Sequence, residues 1–321
     1  MINSPLNTLL NISRPILLAP MAGVAGGELT NAVSEAGGFG ILGGGYGDPN
    51  FLEQQLQLID TQLSFGVGFI TWRLQENPSL LDIALAAKPK GILLSFGDLE
   101  PYIEKIKRER VLLLAQCQTL NDARRAAELG ADVIIAQGTE AGGHGSTRAT
   151  MSLLPAVVDA LPEHLVIGAG GIADGRGLAA SLSLGAAGVM VGSRFYASQE
   201  SLAADTAKHL AVSADGDDTI RSSVFDVLRG YDWPKPYNLR TLKNKLCEQF
   251  ESDMPALVNN KTAARQKFNE ACDAGNFDQA PVIIGEAVGL IHDIPSAAQI
   301  VQRISDEAEK AIHASHKLVK P

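Results

Sequence analysis

One histidine stands where a base would be useful. His144 lies in AQGTEAGGHGSTRAT (136–150), a glycine-rich stretch that follows a short aliphatic run directly. Imidazole titrates near neutrality and suits general-base work in such a loop, whereas a histidine on a helix is usually a solvated or packing residue. The other five histidines lie on helical stretches or in the C-terminal region and get that second reading. Glu140 in the same loop is either an acid–base group or the residue that holds the loop in shape.

Two further clusters, VIGAGGIADGRG (166–177) and GVMVGSRF (188–195), put glycines at the ends of apolar runs. Glycine lets backbone amides approach a phosphate closely, and a helix starting near Asp174 would add its dipole. The plainer alternative is a pair of tight turns. APMAGVAGG (19–27) offers backbone that can lie against a planar ring, with Met21 as soft contact surface, or else a simple turn. GGGYGDP (43–49) gives another open loop, with Tyr46 able to face a substrate. Thr71, Gln116 and Gln137 each follow an aliphatic run and would hydrogen-bond either a heteroaromatic ring or their own loops.

These residues need elements to hold them. Short aliphatic runs recur at 16–20, 39–42, 65–70, 91–95, 111–116, 132–136, 166–169 and 188–191, and all but the last lead into a helical pattern. Continuous apolar strands alternating with helices imply a parallel sheet covered on both sides. Eight such units with short connections predict an α/β fold of the TIM (β/α)₈ type, whose site lies at the C-terminal ends of the strands. The glycine clusters after runs one, two, six, seven and eight favour this over an open doubly wound sheet, which would bind nucleotides near its first turn. The pattern changes after residue 200. It gives a barrel core at 1–200, a helical lid at 201–284 broken by WPKPYN (233–238), and a segment at 285–321 whose amphipathic helix (296–316) returns to the barrel.

The totals agree with that plan. The chain has 321 residues, 45% of them hydrophobic and only 5% aromatic, with 32 glycines, which suits short strands and tight turns. A formal net charge of −9 argues against nucleic acid or an anionic membrane as partner. Cys117, Cys247 and Cys272 lie far apart with no metal-type spacing, so they read as free thiols in a reducing, cytoplasmic setting. No metal site, signal peptide or membrane span is expected, and the protein is expected as a monomer or homodimer.

Taken together, APMAG, SEAGGFGILGGG, AQGTEAGGHG, GAGGIADGRG and GVMVGSRF resemble the nitronate monooxygenase (2-nitropropane dioxygenase) family. The resemblance runs from about Arg14 to the C-terminal helix, and VFDVLRG (224–230) and GEAVGLIHDIPSA (285–297) resemble its fungal-type members. It implies a TIM barrel with a helical lid, non-covalent flavin mononucleotide (FMN), and oxidation of alkyl nitronates by dioxygen to a carbonyl compound and nitrite. It further implies that Pro20, Met21 and Ala22 line the flavin ring, and that Thr71, Gln116 and Gln137 contact ring or ribityl atoms. Gly142 and Gly143 would flank the flavin, and Ala169, Gly170, Gly171, Gly192 and Ser193 would hold the phosphate. His144 matches the catalytic histidine and would take the α-proton of a neutral nitroalkane. Some relatives carry Lys at the position of Gln116 and Asp at that of Gln137. The AQGTEAGGH loop is also similar to that of FMN-dependent enoyl-thioester and quinone reductases, which take hydride from NAD(P)H. A flavin-free barrel that binds a phosphorylated metabolite is the rival outside redox chemistry. A Schiff-base aldolase fits less well, because no strand-end position carries Lys.

Overall fold

A computed structural model of the protein describes residues 2–319. Eight parallel strands form the barrel: β1 (Ile16–Leu18), β2 (Gly40–Gly43), β3 (Phe65–Ile70), β4 (Gly91–Ser95), β5 (Leu112–Cys117), β6 (Val133–Gln137), β8 (Leu165–Ala169) and β9 (Gly188–Val191). A short strand, β7 (Gly143–Gly145), intervenes in the chain outside that sheet. The hydrogen-bonded order is β1-β9-β8-β6-β5-β4-β3-β2. Leu18 N donates to Phe39 O at 3.0 Å and Phe39 N to Ile16 O at 2.9 Å, which closes β2 onto β1. The (β/α)₈ barrel expected from the alternation is therefore present, with every run in place.

Alternation along each strand explains why the runs are continuously apolar. On β6, Val133 and Ile135 point into the barrel with Leu17, Leu93, Leu114 and Ile167. Ile134 and Ala136 point outward, under the helix Thr150–Ala160. Both faces are dry, so neither can carry polar residues until the strand ends. The helix Pro5–Leu10, which the sequence pattern did not announce, starts at the N-cap Ser4 and adds Leu6 and Leu10 to the barrel interior. Each of those leucines contributes about 1.5–3 kcal/mol by burial. The helix Ala297–His316 opens with a Ser296–Gln299 capping box and lays Ile300, Val301, Ile304 and Ala308 against the helices Gly27–Glu35 and Gly175–Ser183. It covers the flank that the four-residue helix Ser193–Tyr196 is too short to cover.

The stretch expected as a helical lid also holds strands. It contains helices, among them Val224–Arg229, Lys245–Phe250 and Lys261–Asp273, but also β10 (Thr219–Ser222) and β11 (Asn238–Leu242). These two strands pair antiparallel with each other, and β11 pairs with β7, so the lid segment reaches the barrel mouth as a small sheet. Among the described residues no helix is long and apolar enough to cross a membrane, and no His/Cys/Asp/Glu group could hold a metal ion.

Candidate active site

His144 is the middle residue of β7, facing Leu239 across the ladder to β11. The loop expected there is a strand at this point, because β11 gives its backbone a partner. His144 is only 5% exposed. Its Nε2 lies 2.9 Å from Oδ1 of Asp226, itself buried, on the helix Val224–Arg229. The indole of Trp233 stacks on the imidazole with centroids 3.3 Å apart and planes 10° from parallel, and Phe96 meets the same ring edge-on at 6.4 Å. Burial holds the imidazole below its ordinary pKa of 6.5; Asp226 opposes that shift, while Arg229 and Arg221 add to it. The ring is thus neutral at physiological pH and free to accept a proton.

The glycine loop that leads to His144 is held by arginines from the lid segment. Arg221 on β10 donates to Thr139 O at 2.7 Å, Ala141 O at 3.1 Å and Asn238 O at 2.7 Å. Arg240 on β11 donates to Thr139 O from Nε and pairs with Glu286. Glu140 accepts from the backbone N and Oγ1 of Thr150, so it holds the loop to the next helix and takes no place on the cavity wall. Glycine is required at 142, where a Cβ would lie 2.5 Å from the backbone carbon of Ile284.

A cavity opens at the C-terminal ends of the strands. Pro20, Met21, Ala22, Gln116, Gln137, Gly142, Gly143, His144, Ala169, Gly170, Gly171, Gly192 and Ser193 all line it. Thr71 does not. It opens the helix Thr71–Glu76 straight after β3 and packs against Gly97, where a Cβ would lie 2.9 Å from its own; its buried hydroxyl has no partner among the described residues. Gly170 (φ +94°) and Gly171 (φ +73°) turn the chain in the left-handed region that glycine allows. Among the described residues, the amides of Gly170, Gly171, Gly192 and Ser193 donate to no protein acceptor. Four such amides beside an apolar wall fit a phosphate and a planar ring. The helix dipole expected near Asp174 is less available: Asp174 accepts from the amides of Arg176 and Gly177, and Glu307 from that of Gly175. The loop amides, not the helix terminus, form the candidate cradle.

The mouth lies across the barrel from the cradle, over β2, β3 and β4, and is aromatic. Tyr46 stacks on Tyr231 at 4.4 Å, and Trp233 meets Tyr46, Trp72 and Phe96 edge-on. Phe96 holds φ +62°, an uncommon conformation for a bulky residue. The guanidinium of Arg229 covers both tyrosines, 4.5 and 4.7 Å from the ring centroids, and donates to the hydroxyl of Tyr46. No carboxylate among the described residues pairs with it. Burial raises the Tyr46 pKa in spite of this cation, so the phenol stays protonated. Gln137 turns its amide away from the cavity's needs: its Oε1 accepts from Gln116 and Gln118, and its Nε2 donates to His144 O.

A family model described as nitronate monooxygenase matches residues 3–307. The chain belongs to the nitronate monooxygenase family. A nitronate monooxygenase from Neurospora crassa is 31% identical, over 92% of this chain and 89% of that protein. Among solved structures, FabK from Thermotoga maritima superposes with a TM-score of 0.87 at 28% identity, covering 99% of this chain and 100% of that one. A nitroalkane oxidase from Streptomyces ansochromogenes superposes with a TM-score of 0.82 at 26% identity, covering 96% and 99%.

In this member of the nitronate monooxygenase family the groups that sequence reasoning missed come from the lid segment. Arg229 and Trp233 reach the cavity, and Asp226 reaches His144, from more than 80 residues along the chain. One local signal existed. Asp226 interrupts the apolar run VFDVL (224–228), and a carboxylate there must be either exposed or paired. Trp233 stands in the WPKPYN stretch that reads only as a break, and Arg221 and Arg240 sit on strands too polar to announce themselves.

Proposed function

We propose that the protein is an FMN-dependent nitronate monooxygenase, which converts an alkyl nitronate and dioxygen to a carbonyl compound and nitrite and also accepts neutral nitroalkanes. The observation that carries this reading is the buried His144 on the wall of a cavity that is also lined by a set of uncommitted amides. Those amides, at Gly170, Gly171, Gly192 and Ser193, would hold the phosphate, and Pro20, Met21 and Ala22 the ring. Gly142 and Gly143 would flank it, beside Ala169. Gln116 keeps an amide oxygen without a protein partner on the cavity wall, whereas Gln137 serves mainly to fix Gln116 and His144. FMN, when bound, supplies the electron transfer between substrate and dioxygen that no side chain here can perform.

The chain's own groups do the rest. A nitronate is an anion, and Arg229 is the cation that lines the cavity without a carboxylate partner. A neutral nitroalkane must first lose its α-proton: the C–H bond breaks, the proton passes to the imidazole of His144, and the electron pair moves into the nitro group. Trp233, Tyr46 and Tyr231 close the mouth and keep water from the reacting carbon. The test is the purified protein itself. Heat should release a yellow supernatant with FMN near one per chain, and ethyl nitronate should drive oxygen uptake and nitrite release. A colourless protein that fails to bind added FMN would remove the mechanism.

A further inference from the structure

The pairing of His144 with Asp226 has a chemistry of its own. The carboxylate of Asp226 is buried, and the imidazole is its one side-chain partner among the described residues; no Lys or Arg bridges it. A buried carboxylate with a single neutral partner is a poor source of stability, since its desolvation is repaid by one hydrogen bond. The geometry around the ring is fully specified in return. One nitrogen is tied to Asp226, one face lies under Trp233, and Phe96 meets the ring edge-on. A carboxylate only accepts, so the proton between the two groups belongs to Nε2 of the neutral imidazole, and Nδ1 keeps its lone pair.

We infer that Asp226 is the positioning residue of the base: it holds His144 in the Nε2–H tautomer and leaves Nδ1 to take the α-proton of a neutral nitroalkane. The inference rests on the base reading of His144 given above. When the C–H bond breaks and Nδ1 gains the proton, the imidazolium is held by a carboxylate 2.9 Å away. The charged groups that act on His144 are Asp226 and Arg229 of one helix and Arg221 of β10; Trp233, Phe96 and Gln137 complete its surroundings and carry no charge. Asp226 is the only one of the three that favours the protonated ring. It also belongs to the lid segment, 82 residues along the chain, so the base is complete only when that segment is seated.

Asp226→Asn tests this. The amide can turn its NH₂ toward Nε2 and favour the Nδ1–H tautomer, which has no base where one is needed. Turnover of neutral nitroethane should fall ~10²–10⁴-fold, the worth of a positioned general base. Turnover of preformed ethyl nitronate should fall much less. The acidic limb of kcat/KM for nitroethane should move to lower pH, because the group that raises the imidazole pKa is gone. Nitrogen-15 NMR of the wild-type holoenzyme supplies a readout that needs no variant: Nε2 should carry the proton and Nδ1 should not. A wild-type spectrum with the proton on Nδ1 would overturn the inference. So would an Asp226→Asn enzyme in which both substrates lose activity equally with the limb unmoved, since Asp226 would then only anchor the lid. An Asp226→Asn enzyme with unaltered nitroethane turnover and pH limb would overturn it too. His144→Asn separates the two levels of the reading. If that variant keeps nitroethane turnover, the base assignment itself fails; if it loses turnover while Asp226→Asn does not, only the role of Asp226 fails.

Discussion

Arg221→Met removes the clamp on the glycine loop while keeping most of the side chain's length. The guanidinium donates to Thr139 O and Asn238 O at 2.7 Å each, and to Ala141 O at 3.1 Å. Burial pulls the Arg221 pKa down to about 10, so the group still carries its charge at neutral pH. Hydrogen bonds from a charged donor contribute ~1.5–3 kcal/mol each, so the two short ones together bring about 3–6 kcal/mol. Two effects reduce the net loss. Methionine has no charge to desolvate, and Arg240 Nε still donates to Thr139 O at 3.1 Å. A net destabilisation of about 2–4 kcal/mol is expected, at the large end for point mutants and traceable to carbonyls left without donors. Urea unfolding should show the lower midpoint with the slope unchanged. Flavin fluorescence should show FMN released at least tenfold more readily, because Gly142 and Gly143 lie on the loop that the clamp holds. Arg221→Lys, which keeps the charge but lacks the planar fork that spans the three carbonyls, should fall between. An Arg221→Met protein with wild-type midpoint and wild-type FMN affinity would refute the claim that this side chain positions the loop.

Two further expectations concern the cradle and the base. Gly170→Ala puts a Cβ at φ +94°, 2.9 Å from Gly138 O, so the backbone must leave its present course; FMN affinity should drop by tenfold or more in a flavin titration, and retained affinity would place the phosphate elsewhere. Folded His144 binds a proton less readily than the unfolded chain, whose histidine titrates near 6.5, so the unfolded state holds more protons in that window. Stability should therefore fall as pH drops through 6.5 and level off once the folded ring is also protonated. Denaturation curves of wild type against His144→Asn should show that component in the former and its absence in the latter.

How much of this could be read from the residues follows from how local each signal is. The eight barrel strands were legible because both faces of each are buried, which forces an unbroken apolar run that stops at a glycine or polar end. Three strands were not. GHG of β7, TIRS of β10 and NLRTL of β11 show no strand period, and Arg221 and Arg240 from the latter two bind a loop carbonyl beside β7. The cavity wall was legible through the rule that a barrel's site follows its strand ends. Thr71 shows where that rule stops: a residue that begins a helix immediately after its strand turns back toward the neighbouring loop. The helix at Gly175–Ser183 shows another limit, since a capping Asp174 and a distant Glu307 had already engaged its first amides. Arg229 and Trp233 depend on how the lid segment docks, which no local pattern encodes, and Asp226 left as its one local sign the interruption of an apolar run.

The central claim is that a nitronate, and not a reduced nicotinamide, delivers electrons in this cavity. Anaerobic mixing of the FMN-loaded protein with ethyl nitronate, and separately with NADH, tests it while the visible flavin band is followed. The nitronate should bleach the flavin within the turnover time, NADH should do so far more slowly, and admitting air should yield nitrite. Rapid bleaching by micromolar NADH, with the nitronate leaving the spectrum unchanged, would contradict it and assign the protein to NAD(P)H-dependent reduction.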